Sequence, residues 1–176
     1  MVYTVVDTVV DTVVDTVVVD TAVVVSGKNF IVFGTQNSKA YARAVDSNGN
    51  ELWKLQLDQS QASIASAAVV DSVGDIWIAG ATPAPAVAPI GTPTAAINPD
   101  NANVPTSTFI GDLKVLTIWK ISSGGALIST NSLPMSNSIL PTSMALDDSG
   151  LAIVGSIAGE KINAGFINFL NTSGLF

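Results

Sequence analysis

One pattern recurs three times along this chain: an apolar run, a turn closed by glycine, a second apolar run, and another glycine. It reads Ala22-Val-Val-Val-Ser-Gly27-Lys-Asn-Phe-Ile-Val-Phe-Gly34-Thr35, then Ala68-Val-Val-Asp71-Ser-Val-Gly74-Asp-Ile-Trp-Ile-Ala-Gly80-Ala, then Met144-Ala-Leu-Asp147-Asp-Ser-Gly150-Leu-Ala-Ile-Val-Gly155-Ser156. Short β-branched runs broken by Gly, Asp, Asn and Ser are strands and tight hairpins, because glycine takes positive φ and the polar side chains bond their own backbone. A repeat of this kind buries its apolar faces only against its neighbours, so the recurrence constrains the whole architecture.

A second pattern follows each of the first: Ala44-Val-Asp46-Ser-Asn-Gly49-Asn-Glu-Leu-Trp53, Ile118-Trp-Lys-Ile-Ser-Ser-Gly124-Gly125-Ala-Leu127, and Phe169-Leu-Asn-Thr-Ser-Gly174-Leu. These are outer hairpins to the inner ones above. Gly27 and Gly74 lie 47 positions apart and Gly74 and Gly150 lie 76 apart. The 29-residue excess maps to about 82–110, which holds six of the eight prolines and begins Thr82-Pro-Ala-Pro. Proline removes ladder donors, so this stretch reads as a long loop with polyproline character. Without it one period remains, in the range of about 40 to 50 residues expected for a four-stranded propeller blade.

The expected fold is therefore all-β, with about three four-stranded antiparallel blades of a β-propeller, incomplete and open. A low-complexity tract covers residues 1–21. Blade one covers 22–60, blade two 61–135 with the insertion at 82–110, and a partial blade three 136–176. Strands are expected near 22–26, 29–35, 39–46 and 51–57, then 66–71, 75–81, 112–121 and 126–132, then 142–147, 151–156 and 164–170. The last blade is expected to be cut off before its fourth strand.

Composition removes most alternatives. With 48% apolar and only 12% charged residues, the chain lies far from the disordered class. Net charge is −7 and the seven basic residues are scattered singly, so no phosphate-binding groove is expected and nucleic acid is excluded as a partner. The absence of histidine and cysteine removes the usual general base, the commonest metal ligands, thiolate nucleophiles and disulfides. No run approaches the roughly 18 apolar residues of a spanning helix, and no secretory signal is visible at the N-terminus.

The run Ala40 to Trp53, with its Asp46-Ser-Asn-Gly49-Asn hairpin, followed by Ala65 to Thr82, with its Val-Asp71-x-x-Gly74 turn and Gly80-x-Thr82, resembles the bacterial SBBP-type β-propeller repeat over about residues 38–176. Blade one departs from it, with Ser26 in place of the inner aspartate. Ala44-x-Asp46-x-x-Gly49-x-x-x-Trp53 is more distantly similar to quinoprotein propeller repeats, one residue short in its Asp-to-Gly spacing. The resemblance implies a scaffold in a secreted or surface-attached bacterial protein.

The candidate structural positions are the repeat turns at Gly27, Gly49, Asp71, Gly74, Gly80, Gly125, Asp147, Gly150, Gly155 and Gly174, and three tryptophans, Trp53, Trp77 and Trp119, read as packing between blades. Asp46, Asn48, Asn50 and Glu51 superficially match a calcium loop, but the glycine sits too early for an EF-hand and further ligands are lacking. Asp71, Asp75, Asp147 and Asp148 could form an acidic ring, yet aspartate beside such turns is better read as stabilising them. No serine or threonine has an activating base beside it, so no catalytic, cofactor-binding or metal-binding residue is named. Asn171-Thr-Ser173 is a formal glycosylation triplet of the kind expected by chance.

Residues 4–21 repeat Thr-Val-Val-Asp four times with one extra valine, Val19. Neither face of such a strand is cleanly apolar, so its register is poorly specified. It reads as low-complexity sequence outside the domain, or as a strand that pairs with a neighbour.

The function expected is a non-catalytic propeller scaffold or binding module, part of a larger secreted or cell-surface protein, with a protein or glycan as partner and no cofactor. One alternative is part of a larger propeller enzyme whose catalytic residues lie outside this chain. The other is a self-associating module using the N-terminal tract or exposed sheet edges.

Overall fold

A computed structural model describes residues 18–59, 62–84, 113–158 and 164–171. Among them the chain forms eleven strands and no helix. Strands β1 (Val18–Ser26), β2 (Asn29–Gln36), β3 (Lys39–Val45) and β4 (Glu51–Gln56) make a first antiparallel sheet in chain order. Strands β5 (Ile64–Val70), β6 (Ile76–Thr82), β7 (Val115–Ile121) and β8 (Leu127–Pro134) make a second sheet of the same order. Strands β9 (Ile139–Asp147), β10 (Gly150–Ile157) and β11 (Ala164–Asn171) make a three-stranded third. No sheet closes on itself among the described residues.

The three sheets stack face to face, with β5 against both β1 and β9. Successive residues of a strand point to opposite faces, and the second sheet uses both. Ile76 and Ile78 of β6 and Trp119 and Ile121 of β7 face the first sheet, where they meet Ile31, Phe33, Ala40, Ala42 and Ala44. Trp77, Ala79, Ala81, Leu116 and Ile118 face the third, where they meet Ile139, Leu151, Ile153 and Leu170. Burial on both faces explains why β6 and β7 are almost continuously apolar rather than alternating. Small alanines opposite large isoleucines and tryptophans let the two layers interdigitate. The outer strand β8, by contrast, is rich in Ser, Thr and Asn and largely exposed, as an edge strand must be if it is not to recruit another sheet.

The same bulge recurs in the first strand of every sheet. Pairing slips between Val19 and Thr21, between Ala65 and Ala67, and between Pro141 and Ser143, leaving Asp20, Ser66 and Thr142 as extra residues. Each slip lies opposite the equivalent glycine, Gly34, Gly80 or Gly155. At Gly80 the reason is steric. A Cβ there would stand 1.8 Å from the Ile64 carbonyl oxygen and 2.7 Å from the Trp119 ring, so only glycine lets the bulged strand come this close.

The crossings between sheets are also tied alike. Ser63 N–H donates to Ser38 O (2.9 Å) at the first crossing, and Ile139 N–H donates to Leu113 O (3.0 Å) at the second. Fully buried Ser63 also accepts from Ala40 N–H at 2.9 Å, so its hydroxyl is not left unpaired in the core.

The strands fall within three residues of the expected spans, β7 starting three residues later and β9 three residues earlier, with a larger difference at the N-terminus. β1 starts at Val18, inside the Thr-Val-Val-Asp tract, because Val18 and Val19 pair with Gln36 and Thr35 and so continue an existing ladder. Residues 1–17, most of the proline-rich stretch 82–110, Gly174 and most of the Asn171-Thr-Ser173 triplet lie outside the described residues.

Candidate functional site: the aspartate turns and the Asp71, Trp77 and Lys120 cluster

The hairpins carrying the repeated Asp, Asn, Ser and Gly residues are built one way. After Asp46, Asp71 and Ser122 the chain makes an i to i+3 turn, in which Gly49, Gly74 and Gly125 N–H donate to the carbonyl of the first residue at 3.0, 3.1 and 2.9 Å. Each glycine then takes positive φ, between 85° and 91°, to return the chain to the ladder. The first side chain finishes the turn. Asp46 Oδ1 accepts from Asn48 and Asn50 N–H at 2.8 and 2.9 Å, Asp71 Oδ1 from Val73 and Asp75 N–H at 3.1 and 2.9 Å, and Ser122 Oγ from Ala126 N–H at 3.0 Å. Asp147 does likewise for Ser149 and Gly150 N–H at 2.8 and 3.2 Å.

These bonds set the electrostatics. The Asn50 side-chain amide and backbone N–H, with Asn48, hold the Asp46 carboxyl below its ordinary value. The Ser149 hydroxyl and N–H, with the Gly150 N–H, do the same for Asp147. Burial alone would push Asp71 up, but the Trp77 indole, the Asp75 and Val73 amides and Lys120 together bring it below its ordinary value. The carboxylates are thus committed to the turns. Among the described residues no group of three or more Asp and Glu side chains could hold a metal ion.

Around Asp71 the turn becomes a larger cluster. Trp77 Nε1 donates to Asp71 Oδ2 at 3.1 Å. Lys120 Nζ lies 3.1 Å from Asp75 Oδ2 and 3.7 Å from Asp71 Oδ2, and sits 4.7 Å from the centre of the Trp77 ring. Trp77 and Lys120 are directly paired across β6 and β7, which is why one ring can support one ammonium. Lysine, both carboxylates and the indole satisfy one another, so the cluster holds no free base or nucleophile. It fixes the β5–β6 turn onto the sheet.

The neighbouring turns are fixed to each other across sheets. Ser26 Oγ donates to Gly74 O at 3.4 Å, and Trp53 Nε1 donates to Ser123 O at 3.1 Å. The Trp53 ring lies over Gly125, where a Cβ would come within 2.5 Å of Cγ. Trp53 therefore closes the outer end of the first sheet onto the β7–β8 turn. Trp119 is buried between the first and second sheets and Trp77 between the second and third.

Of the positions expected at repeat turns, Gly80 and Gly155 lie instead inside β6 and β10, where each pairs across the ladder beside a bulge, and three features of the structure gave no signal in the sequence. Lys120 gave no local signal, since its partners are set by strand pairing. Asn37 and Ser38 make a two-residue turn with φ of 53° and 61°, although no glycine marks it. The bulges at Asp20, Ser66 and Thr142 carry no common residue type and follow from strand pairing alone.

No protein-family model matches the chain, and no curated protein is similar to it. Among solved structures, a protein of unknown function from Bacteroides caccae is similar at 10% identity and a TM-score of 0.38, over 87% of this chain. This chain spans 62% of that protein's chain.

Proposed function

We propose that this chain is a non-catalytic, propeller-type scaffold of the SBBP kind, part of a larger secreted or cell-surface bacterial protein, that binds a protein or glycan through loops held on a rigid sheet stack. The observation that carries this reading is how the β6–β7 connection, residues 83–114, is rooted. It leaves and re-enters the two most completely buried strands at directly paired positions, Thr82 and Val115, with Thr82 and Thr117 hydroxyls bonded at 2.9 Å. Strands already in register need no such long connection to pair, and conserving a rigid base while varying a loop is how binding modules work. The committed carboxylates and the paired Lys120 support a structural role for the opposite rim.

The test compares the full chain with a form lacking residues 83–109, which keeps buried Leu113. Both are applied to a glycan array and a panel of bacterial surface proteins. Binding by the full chain and its loss from the shortened form, with unchanged far-UV circular dichroism, is the expected result. Unchanged binding by the shortened form rejects this loop as the recognition element. No binding by either form rejects the module reading.

A further inference from the structure

The second sheet has one face turned toward the first sheet and one toward the third, and equivalent positions mark the same backward and forward faces in all three sheets. The residue just before the repeated glycine, with its ladder partner, marks the forward face: Phe33 with Ala42 in the first sheet, Ala79 with Ile118 in the second, Val154 with Ile167 in the third. The apolar residue early in the second strand of each sheet, with its partner, marks the backward face: Phe30 with Val45, Ile76 with Ile121, Leu151 with Leu170.

Within the chain, forward rows meet backward rows. Phe33 and Ala42 share a core with Ile76 and Ile121, and Ala79 and Ile118 share one with Leu151 and Leu170. All eight are at most 3% exposed. Among the described residues, one row of each kind has no sheet in front of it. On the third sheet Val154 is 37% and Ile167 58% exposed, and on the first sheet Phe30 is 42% exposed beside Val25 at 52%. Val32 and Tyr41, farther along that face, are buried, so its open part is the end near the β1–β2 turn.

We propose that these two faces are one interface: the forward face of the third sheet packs on the backward face of the first sheet of a second copy of this chain. The occupant follows from continuity with the two internal interfaces. Each free face has its complement on this same chain, built from equivalent positions and already seen to pack at its other occurrences. The contact is head to tail, so each copy keeps one free face of each kind and further copies add by the same contact, closing into a ring or extending as the rotation between sheets dictates. This surface is distinct from the sheet edges and does not depend on what the β6–β7 connection binds.

Because the interface is heterologous, two broken halves complement one another. Phe30→Glu removes the backward face and leaves the forward face, and Ile167→Glu does the reverse. In sedimentation velocity the wild-type chain is expected to show masses above the monomer that grow with concentration, and each variant alone to stay monomeric. An equimolar mixture of the two is expected to regain a species of twice the monomer mass and none larger. Far-UV circular dichroism checks that both variants fold, and Val25→Glu with Val154→Glu provides a second pair on the same faces. A wild-type chain that stays monomeric up to its solubility limit overturns the proposal and leaves these faces to a different sheet. Variants that associate like wild type overturn it in favour of edge pairing. A mixture that stays monomeric overturns it in favour of like-with-like contact.

Discussion

Replacing Gly80 with alanine tests how the repeated glycine and the bulge depend on each other. The added Cβ would lie 1.8 Å from the Ile64 carbonyl oxygen, whereas real contacts of this kind stay above 3.0 Å. The strand must therefore move by more than an ångström, and the obstacle is backbone, which cannot rotate away. The same Cβ meets the Trp119 ring at 2.7 Å, and Trp119 is locked in the core between the first two sheets. Overpacking costs about 1–3 kcal/mol, and loosening the pairings of Ile64 with Ala81 and Ala65 with Gly80 adds about 1 kcal/mol per hydrogen bond lost. A total of roughly 3–5 kcal/mol is a large share of the roughly 5–15 kcal/mol that holds a domain folded. In a chain of this size it lowers Tm by roughly 6–20 °C. Gly27→Ala is the control. Gly27 has φ of +60° and open space around its Cβ position, so only the left-handed backbone penalty of roughly 1–2 kcal/mol applies. Urea unfolding followed by tryptophan fluorescence and circular dichroism measures both. Equal losses for the two variants, or a smaller loss for Gly80→Ala, would refute the steric account of the bulge.

Two further outcomes are expected. The Asp71 carboxyl titrates below its ordinary 3.8 in the folded chain, so its stabilising contribution is complete above that value and is lost as pH falls through the folded-state pKa. Urea unfolding at pH 5 and at pH 3 should therefore show a smaller acid-induced loss for Asp71→Asn than for wild type, and equal losses would contradict the role given to that carboxylate. Trp53→Ala removes the ring over Gly125 and the bond to Ser123 O, and should cost roughly 2–3 kcal/mol in the same unfolding assay. It should also make Gly125→Ala less damaging, since the contact that Gly125 avoids is then gone; a double-mutant cycle with no coupling would count against it.

Much of this fold is legible in the chain itself. Apolar runs between Asp-x-x-Gly turns place the strands to within a few residues, because the turn chemistry is local: Asp71 binds amides two and four residues ahead, and Gly74 supplies a φ few other residues take. The turn at Asn37 and Ser38 has no glycine to mark it, because asparagine also tolerates left-handed backbone and its neighbour follows it there. Lys120 was unreadable for a different cause, as its position over Trp77 follows from cross-strand register, not from neighbours in sequence.

The recurring unit of apolar run, turn, apolar run and glycine was thus determined by sequence, since each step depends on residues within one hairpin. Which side of each strand meets which sheet is decided only by the tertiary structure. Ile76 and Phe30 are equivalent in the repeat, yet Ile76 is fully buried and Phe30 is 42% exposed. The difference lies in whether another sheet stands in front of them, and no local pattern in the chain carries that information.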